Sequence, residues 1–73
     1  MERVITIGKV YKHFKGKKYR VLFIATDSET KKDVVVYEAL YGKHIIWTMD
    51  YDKFNGFIDY PETEQEYRFE LVG

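Results

Sequence analysis

Seventy-three residues without a cysteine make one domain that no disulfide can staple, and two histidines are too few for a closed structural zinc site unless several carboxylates join them. Twelve basic and twelve acidic residues cancel to a net charge of zero, which removes the long-range field of a dedicated polyanion binder. No stretch approaches the length of a membrane-spanning helix, and Met1 to Ile7 lacks the apolar core of a signal peptide, so a cytoplasmic protein with no membrane partner is expected.

In chain order the sequence divides at its turn signals into short β segments. An apolar arm, Val4 to Ile7, leads into a first strand predicted over Gly8 to Phe14. Lys15-Gly16-Lys17 turns the chain into a long second strand, Lys18 to Thr26. There Tyr19, Val21, Phe23 and Ala25 share one face, and Arg20, Leu22, Ile24 and Thr26 share the other. Both faces carry apolar groups, so this strand is expected to be internal and curved. The uniformly polar run Asp27 to Asp33 reads as a hairpin tip.

The third strand, Val34 to Leu40, puts Val35, Tyr37 and Ala39 opposite Val34, Val36 and Glu38, and it is too apolar to face water on either side. Gly42 supplies the positive φ of a tight turn into a fourth strand, Ile45 to Met49, with Trp47 at its centre. Asp50 is a helix-capping residue, and the three-residue spacing of Tyr51 and Phe54 predicts one 3₁₀ turn. Asn55-Gly56 marks a turn, Phe57 to Asp59 a short strand, and Tyr60 to Gln65 an acidic loop containing the only proline. In the last segment, Glu66 to Val72, alternation turns Tyr67, Phe69 and Leu71 inward and Glu66, Arg68 and Glu70 outward.

Together these elements predict an all-β fold: residues 1–73 as a single SH3-like barrel of five to six short antiparallel strands with one 3₁₀ turn. Closure would remove the exposed edges that so apolar a chain could not leave open. A core this small must recruit most of the seven Tyr, five Phe and one Trp for packing.

The residues Tyr11-Lys12-His13-Phe14-Lys15-Gly16, Tyr19, Ser28-Glu29-Thr30, Val35-Val36-Tyr37, Ala39-Leu40-Tyr41-Gly42, Trp47, Phe54 and Arg68-Phe69 resemble, in order, the pattern of a family of small bacterial domains of unknown function. The resemblance spans about residues 8 to 72 and implies a single-domain bacterial protein; it implies no activity. Two positions depart from it. Asp27 stands where the family usually has His before Ser-Glu-Thr, and Met49-Asp50 stands where it has an Arg-Pro pair after its Trp. Should that His and Arg bind an anion in relatives, the site is altered here.

Among candidate functional groups, Asp27-Ser28-Glu29-Thr30 offers carboxylates and hydroxyls at a hairpin tip, although the same residue types shape turns by bonding nearby backbone N–H groups. Its spacing is not that of a calcium loop, and no metal or cofactor is expected. His13 faces the same side as Tyr11, where packing competes with a binding role, and His44 beside Gly42 reads as an exposed turn residue. Tyr11, Tyr37, Tyr41 and Trp47 are suited to an aromatic groove for an extended peptide or small ligand, with His13 beside them and Glu29 at an adjacent tip.

A basic N-terminal third is the alternative. Residues 1–20 hold seven basic residues to one acid, interleaved with Tyr11, Phe14 and Tyr19, while residues 50–73 hold seven acids to two bases. That patterning suits nucleic acid, yet in a barrel the chain ends become neighbours and neutralise each other. Unlike charge on two faces would also suit a structural module that is monomeric or a weak homo-oligomer. No phosphate loop, dinucleotide fingerprint, nucleophile elbow or zinc-protease motif is present. The expectation is a non-enzymatic binding module recognising a peptide, protein or small ligand through Tyr11, His13, Glu29, Tyr37, Tyr41 and Trp47.

Overall fold

The computed structural model describes residues 3–59 and 61–72; Met1, Glu2, Tyr60 and Gly73 lie outside the described residues, and with them the start of the predicted acidic loop. Five strands, β1 (Val10–His13), β2 (Lys18–Thr26), β3 (Asp33–Ala39), β4 (Ile46–Asp50) and β5 (Phe69–Leu71), form one antiparallel sheet in the order β4-β3-β2-β1-β5. A single helical turn, α1 (Tyr51–Phe54), follows β4 directly.

Local chemistry accounts for the punctuation. Gly16, at φ 104°, closes the β1–β2 hairpin by donating its N–H to the His13 carbonyl at 2.7 Å. At the β2–β3 tip the Asp27 carboxylate accepts the backbone N–H groups of Glu29 and Thr30 at 2.9 and 3.0 Å, while Lys31 takes a left-handed φ of 63°. Asp50 caps α1 by accepting the Lys53 N–H at 3.2 Å, which carries Phe54 into the interior. The turn is α-helical, not 3₁₀.

A β-bulge changes the predicted facing of β2. Val21 pairs with Tyr37, but Phe23 pairs with Val36 and Ile24 with Val35, so Leu22 is an extra residue. From that point the two faces exchange. Phe23, expected inside with Val21, is 64% exposed, whereas Ile24 packs against the core.

The last strand is shorter than the alternation implies. Glu70 Oε2 accepts the N–H groups of Glu66 and Tyr67 at 2.9 and 3.2 Å, taking two donors that a longer ladder would have used. Tyr67 instead makes an isolated bridge with Phe57, their rings stacked 4.6 Å apart. Leu71, predicted inward, is 54% exposed at the sheet edge.

The core comprises Ile5, Tyr11, Val21, Val35, Tyr37, Ala39, Phe54 and Phe69. Phe54 and Phe69 lie parallel, 3.9 Å between centroids, and Tyr37 meets both edge-on at 5.3 and 5.6 Å. β3 and β5 are three strand spacings apart, about 14 Å in a flat sheet, so the Tyr37–Phe69 contact requires the sheet to curl. Curl does not become closure. β4 and β5 end the sheet and pair with no other strand there among the described residues. The expected closed barrel is therefore replaced by an open five-stranded sheet, because the three-residue β5 offers too short a ladder and the two edges are joined by phenyl rings instead of backbone bonds.

Candidate functional site

The core face of the sheet ends, where β2 begins and β3 finishes, in a cluster of rings. Register sets it up: Tyr19 lies opposite Ala39 across β2–β3, and Tyr37 opposite Trp47 across β3–β4. Tyr41, two residues beyond Ala39, then falls beside Tyr19. The Tyr19 ring meets Tyr37, Tyr41, Phe69 and His13 edge-on, at centroid distances of 5.4, 5.5, 5.6 and 6.4 Å. The Tyr19 and Tyr41 hydroxyls share a hydrogen bond at 2.7 Å, and the Lys17 ammonium stands 5.0 Å from the Tyr41 ring centre.

Beyond Tyr41 the chain reverses through Gly42 at φ 58° and His44 at φ 54°. His44 Nδ1 lies 3.3 Å from the Glu38 carboxylate on the surface, which is the exposed turn position expected for it. The reversal leaves a cleft of about 290 Å³ lined by Ala39, Tyr41, Gly42, Lys43, Ile45 and Trp47. Ala39 is buried at its base, while Tyr41 and Trp47 are 39% and 48% exposed. A small residue at position 39 between two large rings is what makes the hollow.

Two phenols and the imidazole of this cluster are all shifted toward their neutral forms. Burial pushes the Tyr19 phenol well above its ordinary range, followed by its hydrogen bond to Tyr41 and the neighbouring Tyr41 and Tyr37. Burial raises Tyr37 too, then Tyr41, with Arg68 partly offsetting them. His13 is lowered by burial first, then by the cations Arg68 and Lys15. Its Nδ1 accepts the Lys15 N–H at 3.1 Å, which leaves Nε2 to carry the proton of the neutral ring. These groups present hydroxyl and imidazole donors at neutral pH. Among the described residues, no group of three or more His, Cys, Asp or Glu is placed to hold a metal ion.

Of the six residues singled out in the sequence, four share this end of the sheet. Tyr41 and Trp47 form the walls, Tyr37 is buried in the core against the Tyr19 ring, and His13 flanks Tyr19 on the side of β1. Tyr11 belongs to the core: its hydroxyl accepts the Thr6 N–H at 2.8 Å and its ring meets Phe54 edge-on. Glu29 sits beyond the other end of β2, whose last residue, Thr26, is seven residues along from Tyr19 and so already roughly 20 Å distant along the strand. It does not join the cluster. The central Tyr19, together with Ala39 and Ile45, was not anticipated as part of the site; the 19–39 pairing that identifies them depends on strand register.

The model of the family DUF1653, a protein of unknown function, matches residues 9–71. The chain belongs to the DUF1653 family. It is also similar to the crystal structure of a DUF1653 protein from Bordetella bronchiseptica, with 33% identity, a TM-score of 0.79, and coverage of 93% of this chain and 88% of that one. No curated protein matches the sequence.

In this DUF1653 domain Asp27, Met49 and Asp50 have structural roles. Asp27 is held below the ordinary carboxylate range by the N–H groups of Thr30 and Glu29. Met49 packs against the core and Asp50 caps α1. All three lie at the hairpin end, away from the aromatic cleft.

A second, shallower basin of about 570 Å³ gathers Lys12 and Lys15 with Glu62, Glu64 and Glu70. Lys12 and Glu70 are direct cross-strand partners. The basic first third and the acidic last third of the chain are thus neighbours in the fold. The described residues contain no helix long and apolar enough to cross a membrane.

Proposed function

We propose that this domain is a small non-enzymatic binding module, acting without a cofactor, and that its ligand surface is the cleft between Tyr41 and Trp47. The observation that carries this reading is the pairing of two half-exposed rings around the buried Ala39. A hollow of about 290 Å³ is at the lower limit for small-molecule sites, which suits one apolar or aromatic side chain of an extended peptide, or a ligand of that size. Lys43 lines the cleft and Lys17 lies over Tyr41, so an acidic residue flanking the inserted group is favoured. The curled sheet with an aromatic end is also the basis for regarding the fold as SH3-like, and the cysteine-free composition agrees with a cytoplasmic setting.

Amide mapping by NMR against peptide and fragment pools tests this. Shifts should concentrate at residues 39–47 and Tyr19, with Trp47→Ala abolishing them and Glu29→Ala leaving them intact. Perturbations confined to other surfaces, or none from any pool, would remove the reading.

Nucleic-acid binding through the basic third is the second reading. The pairing of Lys12 with Glu70, and the glutamates sharing a basin with Lys15, weigh against it because they neutralise the phosphate-binding charges locally. A single-stranded oligonucleotide titration at two salt concentrations decides between the two, since phosphate contacts impose a steep salt dependence.

A further inference from the structure

The two edges of the sheet are treated differently. β5 is three residues long; the Arg3 guanidinium donates to its Phe69 carbonyl at 2.7 Å, and the Glu70 carboxylate takes the N–H groups that precede it. Short length and side-chain capping are standard protections of an edge. β4 has five residues, with neither proline, bulge nor lysine within it, and Ile46 and Trp47 are 60% and 48% exposed. No strand covers its outer side among the described residues.

Which backbone groups β4 leaves open follows from one hydrogen bond. The Ala39 N–H donates to the Ile45 carbonyl at 2.9 Å, and the register places Glu38 opposite Ile46 and Tyr37 opposite Trp47. In an antiparallel ladder, bonded and non-bonded pairs alternate. Ile45, Trp47 and Met49 therefore turn their N–H and C=O groups toward β3, and Ile46, Thr48 and Asp50 turn theirs outward.

Charge along this strand is polar end to end. Lys43 and His44 precede it, with the Glu38 carboxylate 3.3 Å from His44, while Asp33, Asp50 and Asp52 outnumber Lys32 and Lys53 at its far end. With Lys43 at its start and a net acidic finish, the strand is complementary to an antiparallel copy of itself, which would set Lys43 against the Asp50 to Asp52 end.

We infer that β4 is the self-association edge of this domain: a second copy pairs with it antiparallel about a two-fold axis at Thr48, joining two five-stranded sheets into one of ten. That register maps Ile46–Asp50 onto itself. Thr48 bonds Thr48 of the second copy, Ile46 faces Asp50, and Trp47 packs on Met49 as a close non-bonded pair. The Lys43-His44 end of each copy approaches the Asp50 to Asp52 end of the other. Two five-residue strands bury less than a standard interface, so the association is weak and salt-sensitive.

Sedimentation from low micromolar to millimolar protein tests the inference. The mass should rise from 8.8 kDa toward twice that value, and less so in high salt. Thr48→Pro removes an outward N–H without touching the ladder to β3 and should weaken association by roughly tenfold or more. Lys43→Glu and Asp52→Lys should each weaken it, and the double variant should restore it, an arm that does not depend on how well the proline variant folds. A mass fixed at 8.8 kDa throughout, or dimers indifferent to the charge reversals, would overturn the inference. A chain that dimerises yet ignores every peptide pool would sink the ligand reading alone.

Discussion

Replacing Phe69 by alanine removes one member of the parallel ring stack that, among the described residues, links the two edges of the sheet. Phe69 is on the edge strand β5, its partner Phe54 follows the other edge strand β4, and both are 1% exposed. Truncating a buried phenylalanine costs about 3 to 5 kcal/mol through lost transfer energy and the cavity left behind. The total stability of a 73-residue domain is on the order of 4 to 11 kcal/mol, so the change consumes a large part of it. For a domain of this size each kcal/mol moves Tm by about 4 to 8 °C, which predicts a fall of at least about 12 °C. Thermal and urea unfolding followed by circular dichroism measure the change. The Phe54→Ala and Phe69→Ala costs should also fall short of additivity by about 0.5 to 1.5 kcal/mol in a double-mutant cycle, the coupling expected of an aromatic pair. A Tm within about 3 °C of wild type, less than 1 kcal/mol on the same scale, would show that something other than this stack joins the edges.

Three further outcomes are expected. Phe23→Lys should change stability by no more than about 0.5 kcal/mol, since the bulge at Leu22 turns Phe23 into solvent; a core-sized loss in urea unfolding would place the bulge elsewhere. Asp27→Ala should lower Tm at neutral pH, because two tip N–H groups lose their acceptor. The Asp27 pKa is depressed on folding, so its contribution is present above the ordinary carboxylate value and lost as pH falls through the folded one; the wild-type advantage should vanish in acid melts and would contradict the assignment by persisting there. His13 is also lowered in the folded state, so the unfolded chain takes up its proton first and stability declines as pH falls below the ordinary imidazole value of 6.5. His13→Gln should remove that part of the slope in melts between neutral pH and pH 5.

The sequence made legible whatever depends on near neighbours along the chain. The bounds of β2, the polar tip closed by Asp27, the grouping of Val35, Tyr37 and Ala39 on one face of β3, the positive φ of Gly42 and the cap at Asp50 were all readable, because each rests on residue chemistry within a few positions. What was hidden depends on partners far away in sequence. Both faces of β2 are apolar, so alternation cannot register one extra residue at Leu22, and only the pairing with β3 exposes it. Closure of the sheet hinged on whether β4 meets β5, and the Glu70 carboxylate that shortens β5 gives no periodic signal. The site was half legible for the same reason. Tyr41 and Trp47 line the cleft, Tyr11 lies in the core, and Glu29, at the β2–β3 tip, lies at the far end of that hairpin from the cleft.

Exposure of apolar residues is by itself no evidence of a binding site here. A domain of this size has more surface than its polar groups can cover, and single exposed hydrophobic residues are ordinary. Phe23, Phe57 and Leu71 are each more exposed than Trp47, but Phe57 is stacked on Tyr67 and the other two lie on separate strands, β2 and β5. Tyr41, Ile45 and Trp47 differ in geometry, not in degree of exposure. They are contiguous, they surround a hollow based on a buried alanine, and the Tyr41 ring is held in place by the Tyr19 hydroxyl and the Lys17 ammonium. Filling the hollow without adding charge, by Ala39→Leu, therefore separates the two explanations. It should block ligand-induced shifts at Trp47 while leaving an incidental apolar patch, and any binding that relied only on such a patch, unaffected.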